Sequence, residues 1–159
     1  MIVSLNLPKS EENKREPLIT GLDFLPDRRL VAVDSLNNKC MLLNEGLRRL
    51  GTPDTVKSSS PKDVAVLSNS EIVVTGVNFL FFLSVSSDNV ISLTKQIETS
   101  SNFFSICCKT PTQMVVSTID DPRNVRMINV DGVETNFQHV EFPKKAYKLG
   151  ESYVHICSI

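Results

Sequence analysis

The sequence predicts an all-β chain made of three consecutive four-stranded antiparallel units with part of a fourth, and three observations carry that expectation. Helical periodicity is nearly absent: no stretch holds an apolar face at three-and-four spacing for more than two turns. Short β-branched and aromatic runs are instead punctuated by turn residues at intervals of about ten. The pattern recurs at a fixed step, for Leu22, Val64 and Ile106 stand 42 residues apart, as do Leu30, Ile72 and Met114, and Phe24, Val66 and Cys108. A four-stranded unit repeating at ~40–45 residues is the mark of a β-propeller blade. One small twisted sheet cannot bury both of its faces alone, so it stacks on the next.

The elements follow in order. Residues 1–17 read as a leading strand, in which Val3, Leu5 and Leu7 alternate, followed by a charged connector bounded by Pro8 and Pro17. Blade one is assigned to 19–56: a strand at Leu22–Leu25, a turn at Pro26-Asp27-Arg28, a strand at Leu30–Val33, a loop through Asn38, a strand at Lys39–Leu43, and a turn at Asn44-Glu45-Gly46 before a ragged strand at Leu47–Thr52. Proline presets the turn dihedral and aspartate caps it, and Gly46 is expected to supply a positive φ. Blade two, 61–98, repeats the order with strands at Asp63–Leu67, Glu71–Thr75, Phe79–Val85 and Val90–Ile97. Blade three, 103–142, does so with Phe104–Cys108, Gln113–Thr118, Val125–Val130 and Val133–Val140, the last pair joined by Asp131-Gly132. Residues 146–159 begin a partial fourth blade, with a strand at Tyr153–Ile159. Propellers close with 4–8 blades, so three and a part read as a propeller fragment.

Composition sets the outer bounds. An apolar fraction of 41% and a charged fraction of 22% suit a folded domain of 159 residues. A net charge of −1 gives no global field favouring nucleic acid or an anionic membrane. No apolar run approaches the ~20 residues of a membrane helix, and Met1–Leu7 lacks the basic start of a signal peptide. The expected location is therefore cytoplasmic. The four cysteines, Cys40, Cys107, Cys108 and Cys157, include no Cys-x-x-Cys pair, and His139 and His155 fall in no finger spacing. Reduced thiols and no metal or cofactor are expected.

The first unit resembles an NHL repeat. Gly21-Leu22-Asp23-Phe24-Leu25-Pro26-Asp27, followed by Leu30-Val31-Ala32-Val33-Asp34-Ser35-Leu36-Asn37-Asn38-Lys39-Cys40, is similar to the Pro-Asp-(Gly)-x-(Ile/Leu)-x-Val-x-Asp-x-x-Asn-(Asn/His)-(Lys/Arg) string of these blades. The type at the C-terminus of tripartite-motif (TRIM) proteins is the most similar. The likeness covers about Gly21 to Asn44, and the other two units match in strand pattern. By the 42-residue step Asp34 maps to Gly76 and Thr118, and Asn37 to Phe79 and Asp121, while Arg28 stands where the family has glycine. The resemblance implies a scaffold for protein or RNA recognition. In complete tripartite-motif proteins it implies the substrate-recognition end of a ubiquitin ligase, whose zinc-binding parts this sequence does not contain.

In propellers, as the resemblance implies, the loops between second and third strands open on one face together with the blade connectors. The expected contact residues lie there: Asn37, Asn38, Lys39, Asn78, Asp120, Arg123 and Asn124. Against that reading stands a structural one, in which Asp34 accepts backbone N–H bonds and Asn37 serves a left-handed turn. The basic pairs Arg28-Arg29, Arg48-Arg49 and Lys144-Lys145 do not share a face and are interspersed with acids, so they read as solvated surface. The run Phe79–Leu83 reads as a third strand buried on both sides. His155 and Cys157 alternate on one strand face but make only two ligands. No nucleophile-elbow, Walker A, dinucleotide-binding or His-Glu-x-x-His motif is present. Asp23 and Asp63, on or beside innermost strands, are the candidates for a channel carboxylate or Ca²⁺ site. The expected function is therefore non-catalytic recognition of a protein partner. The alternatives are single-stranded RNA binding, a Ca²⁺-dependent propeller hydrolase, and self-association through the open blade faces.

Overall fold

The computed structural model describes residues 15–55 (backbone only at 52–55), 60–118, 121 and 125–136. Among the described residues, twelve strands form three antiparallel four-stranded sheets, each in simple up-and-down order. Blade one holds β1 (Ile19–Phe24), β2 (Leu30–Asp34), β3 (Lys39–Leu43) and β4 (Arg49–Thr55). Blade two holds β5 (Val64–Val66), β6 (Glu71–Gly76), β7 (Phe79–Val85) and β8 (Ile91–Glu98). Blade three holds β9 (Phe103–Thr110), β10 (Gln113–Thr118), β11 (Val125–Asn129) and β12 (Glu134–Asn136). The expected leading strand at 3–7, the end of the last strand at 137–140 and the partial blade at 146–159 lie outside the described residues.

The strand register carries the 42-residue step into three dimensions. Leu22 pairs with Ala32, Val64 with Val74 and Ile106 with Val116; Phe24 pairs with Leu30, Val66 with Ile72 and Cys108 with Met114. Alternation along each strand then sorts side chains to the two faces of every blade. Val31, Val33, Cys40 and Leu42 of blade one meet Val64, Ile72, Val74, Phe81 and Leu83 of blade two in one core. Ala65, Val73, Leu80 and Phe82, on the opposite face of blade two, meet Ile106, Met114, Val116 and Ile128 of blade three in a second core. The run Leu80–Leu83 is thus buried on both sides, because blade two is the middle of the stack.

The turns differ from expectation in where the left-handed residue falls. At Asn44–Leu47 it is Leu47, at φ 59°, and not Gly46. The Asn44 side chain and backbone hold this turn, accepting from Arg48 N at 2.9 Å and Leu47 N at 2.8 Å. In the loop after β2 it is Asn38, at φ 54°, and not Asn37. Arg28, which stands where the resembled family has glycine, is itself left-handed at φ 71°, so the position asks for glycine and a β-carbon residue occupies it.

Candidate partner-binding face

Up-and-down order places the β2–β3, β6–β7 and β10–β11 loops on one face with the connectors between blades, and the remaining turns on the other. The three loops span 35–38, 77–78 and 119–124. Their unequal lengths on a constant frame are what a variable contact surface needs.

In blade one the buried Asp34 carboxylate accepts the amides of Leu18, Leu36 and Asn37 at 3.1–3.2 Å, and the Asn37 side chain donates to it at 2.7 Å. Asn37 also exchanges two hydrogen bonds with the Arg15 backbone, at 3.1 and 3.2 Å. Asn38 Oδ1 accepts Ser60 N at 2.9 Å, and the Ser60 hydroxyl lies 3.2 Å from Ser35 Oγ and 3.0 Å from Lys62 Nζ. Lys39 is buried at the start of β3. One turn therefore gathers Asn37, Asn38 and Lys39, and both asparagine side chains tie it to neighbouring connectors. In blade two, Asn78 is left-handed at φ 58° and exposed. Its backbone is held by Asn102 Oδ1 at 3.1 Å and by Thr99 N at 2.9 Å. Asp120, Arg123 and Asn124 lie outside the described residues.

Blade three anchors its part of this face through Arg126, which is 1% exposed. Its guanidinium donates to Asp121, Glu134 and the Ser100 hydroxyl, and Ser100 N donates to Glu134 at 2.9 Å. A buried cation thus locks loop, outermost strand and connector together. Burial works to raise the Glu134 carboxyl, but the Ser100 hydroxyl and amide and the Arg126 guanidinium outweigh it and hold it below the ordinary range. The Arg29 side chain likewise lowers Asp27 on the opposite face, where Arg29 reaches across to Ser86 O and Asn89 Oδ1, both at 2.9 Å.

Three side chains not singled out from sequence lie on the same face. Leu18, Leu36 and Val77 are 48%, 42% and 37% exposed, in the connector and the two loops that carry Asn37 and Asn78. An apolar residue in a polar turn is the signal that would have found Leu36 and Val77.

At the inner edge, Asp23 and Asp63 work as cross-links. Asp23 Oδ2 accepts Val66 N of the next blade at 2.7 Å, and Asp63 Oδ2 accepts Ile106 N at 3.0 Å. The second oxygen of each caps the following amide of its own strand, at 2.8 and 2.9 Å. Among the described residues no group of three His, Cys, Asp or Glu could hold a metal ion.

No family model matches the sequence, and no curated protein matches it. Solved structures do. The chain is similar to the β-propeller domain of Myceliophteria thermophila Cps50 (Swd1), at TM-score 0.59 and 10% identity over 76% of this chain and 42% of that one. It is similar to virginiamycin B lyase from Staphylococcus aureus, at TM-score 0.59 and 12% identity over 83% of this chain and 44% of that one. It is also similar to Kuenenia stuttgartiensis hydrazine synthase, at TM-score 0.62 and 11% identity over 81% and 38%. The chain is a fragment of a β-propeller. It spans less than half the length of each of these three structures.

Proposed function

We propose that the chain is a non-catalytic recognition module that binds a protein partner through the face carrying the β2–β3 and β6–β7 loops. The observation that carries this reading is the exposed apolar set Leu18, Leu36 and Val77 beside the exposed Asn78. Apolar anchors flanked by a polar rim suit a protein surface. A single-stranded RNA would want a basic groove with stacking aromatics. The reading as non-catalytic draws support from Asp23 and Asp63, whose oxygens are engaged by backbone amides. On the likeness of Gly21–Asn44 to an NHL repeat, the module is the substrate-recognition part of a cytoplasmic ubiquitin-ligase-type protein. Asn37, Asn38 and Lys39 then shape the face, and Asn78 makes direct contact.

The test is capture from a cell extract by the purified chain, compared with Leu36→Asp/Val77→Asp. A protein retained by the parent and lost by the double variant is expected, with Asn78→Ala weakening it. Identical captures, or binding to a single-stranded RNA oligonucleotide that collapses with rising salt, would refute the reading.

A further inference from the structure

The connector that enters blade two ties together the two loops of the partner-binding face, and it carries a charge that the fold leaves unbalanced. Ser60 N donates to Asn38 Oδ1 at 2.9 Å, and the Ser60 hydroxyl lies 3.2 Å from that of Ser35, which fastens one end of the connector to the β2–β3 loop. Two residues on, Lys62 N donates to Thr75 O at 2.8 Å, on β6 just before the β6–β7 loop. Ser35 N in turn donates to Leu18 O at 3.0 Å. Ser60-Pro61-Lys62 thus sits among the positions that expose Leu18, Leu36 and Val77. Its backbone is held rather than relaxed. Ser60 has φ 43°, although a following proline favours extended conformations. A left-handed residue with a β-carbon persists only where its surroundings fix it.

Lys62 is half-buried, and among the described residues its ammonium bonds the Ser60 hydroxyl, at 3.0 Å, and no carboxylate. The flanking acids are already engaged: the Asp34 carboxylate accepts four donors, and that of Asp63 accepts Val64 N and Ile106 N. The two serine hydroxyls use one hydrogen in their mutual bond and leave the other to donate. An ammonium and a hydroxyl without a counter-ion, set between exposed apolar side chains, make a seat for one anionic group. We propose that this face takes an acidic residue of the partner, an aspartate or glutamate flanked by apolar residues. The carboxylate docks on Lys62 and the Ser35–Ser60 hydroxyls, and its apolar neighbours rest on Leu36 and Val77. The inference rests on the reading of this face as a protein-binding surface and adds what it recognises. Charge decides the anion: one ammonium balances one carboxylate, whereas a phosphoryl group carries ~1.5–2 negative charges at neutral pH and would keep part of them unpaired.

Selection of a phage-displayed library of random peptides on the purified chain tests this. The selected peptides should carry one Asp or Glu flanked by apolar residues. A synthetic copy should bind the parent about tenfold more tightly than Lys62→Met, with the gap shrinking as salt rises. Methionine keeps most of the lysine stem, and the bond given up is the one to the Ser60 hydroxyl, so the variant should fold as the parent does. A fresh selection on Lys62→Glu should turn to Lys or Arg at the acidic position. A library that yields no binder, selected peptides without an acid, or an acidic peptide that binds Lys62→Met as well as the parent would overturn the inference alone. Failure of the binding face itself would show differently, as selected peptides bound equally by Leu36→Asp/Val77→Asp. A phosphoserine version that binds more than about tenfold tighter than the acid would give the seat to phosphate. Displacement of the peptide by a single-stranded RNA oligonucleotide would give it to nucleic acid. Either result sinks the carboxylate assignment.

Discussion

Gly21→Ala tests the stacking of blades one and two. Gly21 sits on β1 opposite Val33, and a β-carbon there would lie 2.6 Å from Asp63 Oδ1, 2.7 Å from Asp63 Cα and 2.9 Å from Val64 N. Ordinary carbon contacts begin near ~3.5 Å, and two of these neighbours are backbone atoms that no rotamer change can move. The innermost strands must part by about 1 Å or hold the clash, and overpacking of this kind costs ~1–3 kcal/mol. Parting would stretch the 2.7 Å bond from Val66 N to Asp23 beyond bonding range, and a hydrogen bond to a charged group contributes ~1.5–3 kcal/mol. The reduced entropy of the unfolded alanine chain returns only ~0.4–1 kcal/mol. The net expectation is a loss of about 2 kcal/mol, read as a lower urea midpoint at unchanged slope. Gly46→Ala is the matched control: its nearest foreign atom is Asn44 Oδ1 at 3.4 Å and its φ is not left-handed, so it should be neutral or slightly stabilising. If Gly21→Ala unfolds within about 0.5 kcal/mol of the parent, the close approach of β1 and β5 is wrong.

The other expectations concern charge and backbone conformation. Arg126→Met should destabilise by roughly 3–5 kcal/mol, because it removes the cation that balances the Asp121 and Glu134 carboxylates in a largely buried site; chemical denaturation measures it. Since folding lowers the Glu134 carboxyl, its contribution is present above the ordinary range and is lost as pH falls through the depressed folded value. The stability gap between parent and Glu134→Gln should therefore close in acid, and a gap constant with pH would contradict the Arg126 cluster. Arg28→Gly should stabilise by about 0.5 kcal/mol: it removes the ~1–2 kcal/mol left-handed cost, offset by glycine's greater freedom when unfolded. The lost ion pair with Glu45 is at 3.5 Å and mostly exposed, so it matters little. Arg29→Lys should weaken the contact between the outer turns of blades one and two, because a lysine cannot satisfy Asp27, Ser86 and Asn89 together; a lower midpoint in urea is the readout.

The sequence was legible where side-chain pattern and backbone geometry say the same thing. Lys39–Leu43, Phe79–Val85 and Gln113–Thr118 are strands with the bounds the apolar runs indicate. The 42-residue step anticipates the ladder partners of all three inner strand pairs. Innermost strands were harder to bound. β1 begins at Ile19, earlier than Leu22, and β5 shrinks to Val64–Val66, where the Asp63 amide donates to the Thr75 hydroxyl and the Val66 amide to Asp23 of the preceding blade. Left-handed positions were poorly legible, since Leu47 carries no compositional sign of one and Arg28 shows it only through the glycine of the resembled family. On the binding face, a polar loop residue looks the same whether its side chain meets solvent, as at Asn78, or its own scaffold, as at Asn37. Arg126 could have been found. It stands on β11 where the ladder puts Met41 and Phe81 in the other blades, and a cation in that apolar series announces buried partners.

Hydrogen exchange at the Val66 and Ile106 amides tests blade stacking most directly. Both belong to innermost strands, and both donate to a carboxylate of the preceding blade, Asp23 and Asp63 respectively. In an isolated sheet these groups would face water. Stacked blades should give both amides protection close to that of central-strand amides such as Val73, with Asp23→Ala releasing Val66 and Asp63→Ala releasing Ile106. Exchange of both amides at loop rates in the parent chain would contradict the propeller arrangement itself.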